Sequence, residues 1–269
     1  EALIHCRVGG NGPPLLLLHG YPQTHVMWHP VAEDLSKTHT VIAPDIRGYG
    51  ASRAKTPDYT FRAMASDLIA LMDHLGHATF DVVSHDRGAR IAHRLTLDHP
   101  DRVGKLCLMD ILPTLDVWAT MDDVLARKYW HWSYLAQPTD LPERTLRANP
   151  QAYLDAAFLG LGGADIFHPD ALAAYADAAR DPAVTDAWVA DYRAAANEDL
   201  DHDRADLGRS LPHETLILWG SKGVVAHHVD PVETWQEWFP KAHGHPIEAG
   251  HFLVEERPTE VLSALDTFL

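Results

Sequence analysis

The stretch Val83-Ser84-His85-Asp86-Arg87-Gly88-Ala89-Arg90 decides how the rest of the chain is read. Phe80-Asp81-Val82-Val83 ahead of it is a short apolar run of strand type, and residues 89–97 behind it carry a helical pattern. Between them lies a small-x-nucleophile-x-Gly turn with Asp86 in the nucleophile slot. Such a strand-turn-helix elbow lifts one side chain above the sheet edge and aims early N–H groups of the helix at whatever binds there. Small neighbours are required because the turn is tight. Ser in that slot would suggest esterase or peptidase chemistry, whereas a carboxylate can attack only by forming an ester with a substrate carbon. Taken alone the elbow leaves a second reading open, because Asp is also a common helix N-cap.

Outward from the elbow, residues 14–19 form an apolar run ending in His19-Gly20-Tyr21-Pro22, a buried strand and a glycine turn whose loop can offer an oxyanion-hole N–H. Residues 28–35 read as a short helix and Thr40-Val41-Ile42-Ala43-Pro44 as another buried strand. Asp45-Ile46-Arg47-Gly48-Tyr49-Gly50-Ala51-Ser52 is a glycine-punctuated loop without the G-x-G-x-x-G phosphate fingerprint. Residues 61–75 have helical periodicity, with Met64, Leu68, Leu71, Met72 and Leu75 on one face. The elbow helix stops at His99-Pro100, and a strand over residues 105–109 ends at Asp110. This alternation predicts an α/β fold with a mostly parallel sheet covered on both faces. Residues 112–207 break it, being helical segments rich in Ala, Asp, Trp and Tyr with no buried strand. Strand and helix return at Thr215-Leu216-Ile217-Leu218-Trp219-Gly220, residues 231–239, His245-Pro246-Ile247-Glu248 and a last helix over 258–269. The expected organisation is a core domain of residues 1–111 and 208–269 carrying a helical cap at 112–207. The insertion leaves at the carboxyl end of a strand, where α/β sheets bind ligands, so it should act as a lid.

At 269 residues the chain suits one large core with a smaller lid rather than two independent domains. Hydrophobic residues at 46% and charged ones at 22% describe a soluble globular protein. The longest apolar run, Leu15-Leu16-Leu17-Leu18, is far too short to cross a bilayer. The N-terminus carries no signal-peptide pattern, and a chain that starts at Glu1 in a strand-like segment is expected to have lost a leader or first strand. Cys6 and Cys107 make no disulfide framework; Cys107, in an apolar run, reads as a core thiol, and a cytoplasmic setting is expected. The net charge of −16 argues against nucleic acid or an anionic membrane as partner, so attraction for an anionic substrate must be local. Nineteen histidines suggest metal, but only His227-His228 are adjacent and no ligand spacing is present, so neither metal nor other cofactor is expected.

Chain order supplies the chemistry. The hydrolase sequence of nucleophile, acid and base is met by Asp86, Asp110 and His251. His251 sits in the small-residue loop Ala249-Gly250-His251-Phe252. The alternative place for the acid, Gly220-Ser221-Lys222-Gly223, holds no carboxylate until Asp230, which leaves Asp110 after its strand.

With these residues the chain resembles, over essentially its whole length, the fluoroacetate (haloacetate) dehalogenases of the α/β-hydrolase superfamily. The elbow, His19-Gly20-Tyr21-Pro22, the Asp45 to Gly50 loop, Tyr129-Trp130-His131-Trp132, Asp191-Tyr192-Arg193 and Gly250-His251-Phe252 carry the resemblance. It implies that Asp86 is the nucleophile, His251 the base and Asp110 its partner. It implies further that Arg87 and Arg90 hold the substrate carboxylate and that His131, Trp132 and Tyr192 receive the halide. Backbone N–H groups of Tyr21 and Arg87 would hold the oxyanion. Ser84 stands where Gly is usual, so strain without loss of the turn is expected there; Tyr21 stands where Phe is common.

Elementary electrostatics supports the arginines independently. An anion about 4 Å from a carboxylate costs on the order of 4 kcal/mol at an effective dielectric near 20, and two guanidinium forks offset that. A neutral substrate would not need them. Their competing assignment is an ion pair with a helix neighbour such as Asp101. Rival functions are an epoxide hydrolase or haloalkane dehalogenase with the same nucleophile, served by phenols among Tyr129, Tyr134, Tyr153, Tyr175 and Tyr192, and a non-catalytic binding protein of the same fold. A homodimer is expected, since an aromatic-rich lid suits a partner.

Overall fold

The computed structural model describes residues 2–227 and 229–269; Glu1 and His228, the second member of the histidine pair, lie outside the described residues. Among the described residues nine strands run β1 Ala2–Leu3, β2 Cys6–Gly9, β3 Pro14–Leu18, β4 Thr40–Pro44, β5 Arg53–Ala54, β6 Phe80–His85, β7 Val103–Met109, β8 Thr215–Gly220 and β9 Ala242–Ile247. Seven of them make one sheet in the order β2-β4-β3-β6-β7-β8-β9, in which only β2 runs antiparallel to its neighbour, while β1 and β5 pair apart. The continuous leucines of β3 follow from its place between β4 and β6: covered on both faces, Leu15, Leu16, Leu17 and Leu18 are all fully buried. β6 pairs with β7 from Val82 opposite Leu106 to His85 opposite Met109, so Asp86 and Asp110 leave the sheet side by side at its carboxyl edge.

Helices α1 Ala32–Leu35, α2 Phe61–His74 and α3 Arg87–Asp98 belong to the first part of the sheet domain. The helix expected over residues 28–35 is two pieces, a 3-10 turn His25–Trp28 and α1, because Pro30 between them lacks an N–H to continue the ladder. α2 starts at Thr60, whose side chain accepts from the Ala63 N–H, and buries Met64, Leu68 and Met72 as its periodicity requires. The strand expected over residues 245–248 begins earlier, at Ala242, and the segment 231–239 is helical only to Gln236.

Between β7 and β8 come α4 Thr114–Ala119, α5 Asp123–Lys128, α6 Trp130–Leu135, α7 Leu141–Ala148, α8 Pro150–Leu161, α9 Pro169–Ala179, α10 Pro182–Ala196 and α11 Glu198–Ala205, with no strand among the described residues. α12 Pro231–Gln236, α13 Leu253–Glu256 and α14 Pro258–Phe268 complete the chain. The helical segment is tied to the elbow helix by two buried arginines of α3. Arg94 donates to Asp203 at 2.7 Å and also pairs with Asp206, while Arg87 meets Asp191 on α10. No helix among the described residues is long and apolar enough to cross a membrane.

Candidate active site

The elbow holds Asp86 at φ 47° and ψ −117°, a left-handed backbone that L side chains rarely adopt. The reading of Asp86 as a helix cap fails on its own geometry, since the side chain makes no capping hydrogen bond to α3. Instead Asp86 Oδ1 accepts from the Tyr21 backbone N–H at 2.8 Å. The turn demands bare neighbours: a Cβ on Gly20 would stand 2.5 Å from Asp86 Cβ, and one on Gly88 2.4 Å from the His19 carbonyl. Ser84 is not where strain resides. It is a regular member of β6 whose Oγ donates to the Cys107 carbonyl at 2.8 Å, and the positive φ sits two residues later.

Asp110, at φ 52°, turns its carboxylate across the sheet edge; Oδ1 accepts from the Gly220 N–H at 2.8 Å and Oδ2 lies 2.6 Å from His251 Nδ1. Nδ1 therefore carries the proton, leaving Nε2 directed to Asp86, 3.9 Å from Oδ2. That gap is too long for a hydrogen bond, and a water bonded to both atoms would sit beside the line that joins them. Glu256 secures the loop around the imidazole by accepting from the Gly250 and Phe252 N–H groups at 2.7 and 3.0 Å. Burial alone would lower the His251 pKa, but the hydrogen bond and charge of Asp110, with Asp86 beyond, outweigh it and raise the pKa above the ordinary 6.5. For Asp86 burial raises the pKa, and His251, His85, Arg90 and Arg87 together overcome it, holding the carboxyl at about 2. His19 has the opposite fate: burial lowers its pKa to about 4, and the neutral ring braces the turn by contacting the Gly20 carbonyl at 2.9 Å and accepting from the Ile46 N–H at 3.1 Å.

Both arginines are buried, and neither is paired with Asp101. Arg87 lies between the rings of Tyr192 and Phe61, 4.2 and 4.7 Å from their centres. Its Nε donates to Asp191 Oδ2 at 2.9 Å and Nη2 to Oδ1, while Nη1 is buried with no partner. Arg90 has no carboxylate against it. Nη1 donates to the Leu112 carbonyl and Thr114 Oγ1 at 2.9 and 3.0 Å, Nε is unpartnered, and the guanidinium lies 4.6 Å from the Trp132 ring centre. Asp191, which accepts also from the Tyr49 hydroxyl at 2.7 Å, is the residue that sequence reasoning missed. Asp191→Asn is expected to leave the Arg87 charge uncompensated at a fully buried position, at a cost of about 3–5 kcal/mol, and to lower the thermal midpoint by roughly 10 °C in a calorimetric scan.

Helices α6 and α10 bring their aromatic rings over these groups. His131, Tyr21 and Tyr192 pack ring to ring at 5.2 to 5.6 Å, and Trp132 lies 6.3 Å from Tyr192. The Tyr192 hydroxyl is buried without a hydrogen-bond partner, and burial lowers the His131 pKa to about 3, so its ring is a neutral N–H donor. Tyr21, Asp86, Arg90, Asp110, Tyr129, His131, Trp132, Leu161 and His251 enclose a cavity of about 10 Å³ for the centres of water-sized spheres, space for about one water molecule. Of the residues expected to hold the substrate and the halide, Arg90, His131 and Trp132 line this space, while Arg87 and Tyr192 stand behind it; cationic and N–H donors beside an ionised carboxylate suit a small anion and a departing anion. Among the described residues one group, His5, His25 and Asp45, has metal-ligand atoms within 4.8 Å of one another; there Asp45 already accepts from the His25 and Ala51 N–H groups.

The chain matches the family described as alpha/beta hydrolase fold over residues 13–258. It is 41% identical to fluoroacetate dehalogenase of Burkholderia sp, covering all of this chain and 91% of that protein. It is 28% identical to soluble epoxide hydrolase of Corynebacterium sp., over 96% of this chain and 91% of the other. A crystal structure of a provisionally assigned α/β hydrolase from Nostoc sp PCC 7120 superposes with a TM-score of 0.96 at 47% identity, covering 100% of this chain and 94% of that one.

Proposed function

Because the chain belongs to the α/β-hydrolase superfamily, in its haloacetate dehalogenase family, and is a hydrolase acting on carbon–halide bonds, we propose that it converts a small 2-haloacid to the 2-hydroxyacid through an ester of Asp86. The observation that carries the substrate class is Arg90, a buried cation with an unpartnered Nε beside Asp86 and no carboxylate of the protein against it.

In the first step the outer oxygen of Asp86, Oδ2, displaces halide from the α-carbon in line. Oδ1 stays fixed by the Tyr21 N–H. Arg90 and the free Nη1 of Arg87 take the substrate carboxylate, offsetting the repulsion that an ionised Asp86 would otherwise exert. The leaving halide gathers charge only as the bond breaks, so the donors of His131, Trp132 and Tyr192 act chiefly on the transition state. In the second step His251 removes a proton from a water held beside Nε2 and Asp86, and the water attacks the Asp86 carbonyl carbon. The Tyr21 N–H, joined by that of Arg87 at the first turn of α3, holds the developing oxyanion. The products are hydroxyacid, halide and a proton.

Fluoride and chloride release from fluoroacetate and chloroacetate, measured beside bromide release from bromoethane, tests the reading. Release from the acids with none from bromoethane is expected; turnover of bromoethane alone would move the substrate class to neutral haloalkanes. Arg90→Gln is expected to lower kcat/KM for chloroacetate about 100-fold, the worth of a charge-assisted hydrogen bond in a dry site, with KM rising in the same assay.

The two steps differ in their response to acid. Asp86 is ionised well below neutrality, so the ester-forming burst is expected to be independent of pH from about pH 5 upward. Ester hydrolysis needs neutral His251, whose pKa is raised, so this step falls as pH drops through a value above 6.5. Rapid-quench halide and hydroxyacid measurements across pH separate the two; a burst that titrates together with hydrolysis would contradict the assignment.

A further inference from the structure

A second cavity, of about 400 Å³, adjoins the catalytic one, and Asp110, Tyr129, Leu161 and His251 wall both. Leu161 ends α8 and is followed by Gly162 and Gly163 at φ 145° and 90°. A Cβ at Gly163 would meet nothing within 4 Å and one at Gly162 only the tip of Ile166, so the two glycines that follow Leu161 are uncrowded.

Four charged side chains besides His251 line this outer chamber: Asp110, Glu256, Lys128 and Lys222. The two carboxylates are committed, Asp110 to His251 and the Gly220 N–H, Glu256 to the Gly250 and Phe252 N–H groups. The two cations are not bound in this way. Lys128, exposed at the end of α5, has no hydrogen bond or ion pair among the described residues, and Lys222 meets only the exposed Glu248, at 3.4 Å. The sequence has six lysines against a net charge of −16, and two of the six face this one chamber.

We propose that this chamber is the entrance to the catalytic cavity and that Lys128 and Lys222 form an outer binding station for a small carboxylate, from which it passes Leu161 to reach Arg90. The proposal rests on the haloacid reading of the inner site. An anion approaching a strongly acidic protein is repelled at most of its surface, and cations at the mouth of a low-dielectric cleft concentrate it locally. The station acts on capture, whereas the nucleophile Asp86 and the carboxylate-binding Arg90 line only the inner cavity and are untouched.

The test is the pair Lys128→Glu and Lys222→Glu in one protein, compared with Lys55→Glu and Lys241→Glu, which make the same change in net charge elsewhere. At an ionic strength of about 0.01 M, where screening is weak, the port variant is expected to lose about tenfold in kcat/KM for chloroacetate with kcat within twofold, and the difference should vanish at about 1 M salt. A Lys128→Gln, Lys222→Gln protein should show a smaller loss of the same kind. Equal kcat/KM in the port and control variants, or a loss that persists at high salt, overturns the proposal. Chloroacetate association followed by tryptophan fluorescence in rapid mixing needs no turnover. A wild-type protein that binds chloroacetate but releases no chloride would refute the haloacid reading, while the port is still judged on association rates of the same variants.

Discussion

Asp86→Ala is expected to abolish chloride release from chloroacetate, with a loss of at least about 10⁴-fold in kcat measured by ion chromatography. The expectation follows from the absence of a substitute. His251 Nε2 points at Asp86 and is 3.9 Å from Oδ2, and Asp110 has both oxygens engaged, so among the described residues no second carboxylate is free to attack from the cavity. If water attacked the substrate carbon directly with Asp86 as a mere electrostatic aid, a residual base-assisted rate would survive. A single turnover of the wild-type protein in ¹⁸O-water discriminates further, since the first product oxygen must come from Asp86 and carry no label. Asp tolerates the left-handed backbone at position 86 better than Ala does, so the variant is expected to melt somewhat lower but remain folded. Turnover within 100-fold of wild type in a folded Asp86→Ala protein would remove the ester from consideration.

What the amino-acid pattern revealed, and what it concealed, divides along physical lines. β3, β4 and β8 were legible because central parallel strands are covered on both faces and read as unbroken apolar runs closed by Gly or Pro. β9 was legible only in its last half, since an edge strand with one open side tolerates the exposed His243 and His245, and its register comes from β8 rather than from its own residues. The pairing of Arg87 with Asp191 spans 104 positions and joins the elbow helix to the cap. Nothing local marks Asp191 as the partner, and its neighbour Tyr192 drew the attention instead. The same contact alters the picture of the two arginines as equal clamps: Arg87 is largely neutralised and oriented by the protein, while Arg90 retains its charge for a ligand. Ser84 shows the converse error. A departure from the usual Gly suggested strain, yet strand geometry and the Cys107 carbonyl accommodate the hydroxyl, and the strain of the elbow belongs to the nucleophile itself.

His251→Asn is expected to divide the reaction at its midpoint. Ester formation requires Asp86 ionised and the arginines in place, none of which depends on His251 acting as a base: of the groups that lower the Asp86 pKa against its burial, His85, Arg90 and Arg87 remain when the imidazole is removed. Ester hydrolysis requires a base at Nε2, and the amide of Asn cannot serve, so turnover should fall by about 10²–10⁴-fold. The two effects together predict accumulation: one equivalent of chloride released per chain, followed by near-silence, and a protein whose mass has risen by one carboxymethyl group located on Asp86 by peptide mapping. Because Asp110 then loses the imidazole that faces its Oδ2, while keeping the Gly220 N–H at Oδ1, the buried loop is expected to loosen without unfolding, and circular dichroism should remain that of the wild type. Continued multiple turnovers of chloride without a modified Asp86 would mean that the water is activated elsewhere. A protein that neither turns over nor gains mass would mean that the carboxylate at the elbow does not attack the haloacid at all.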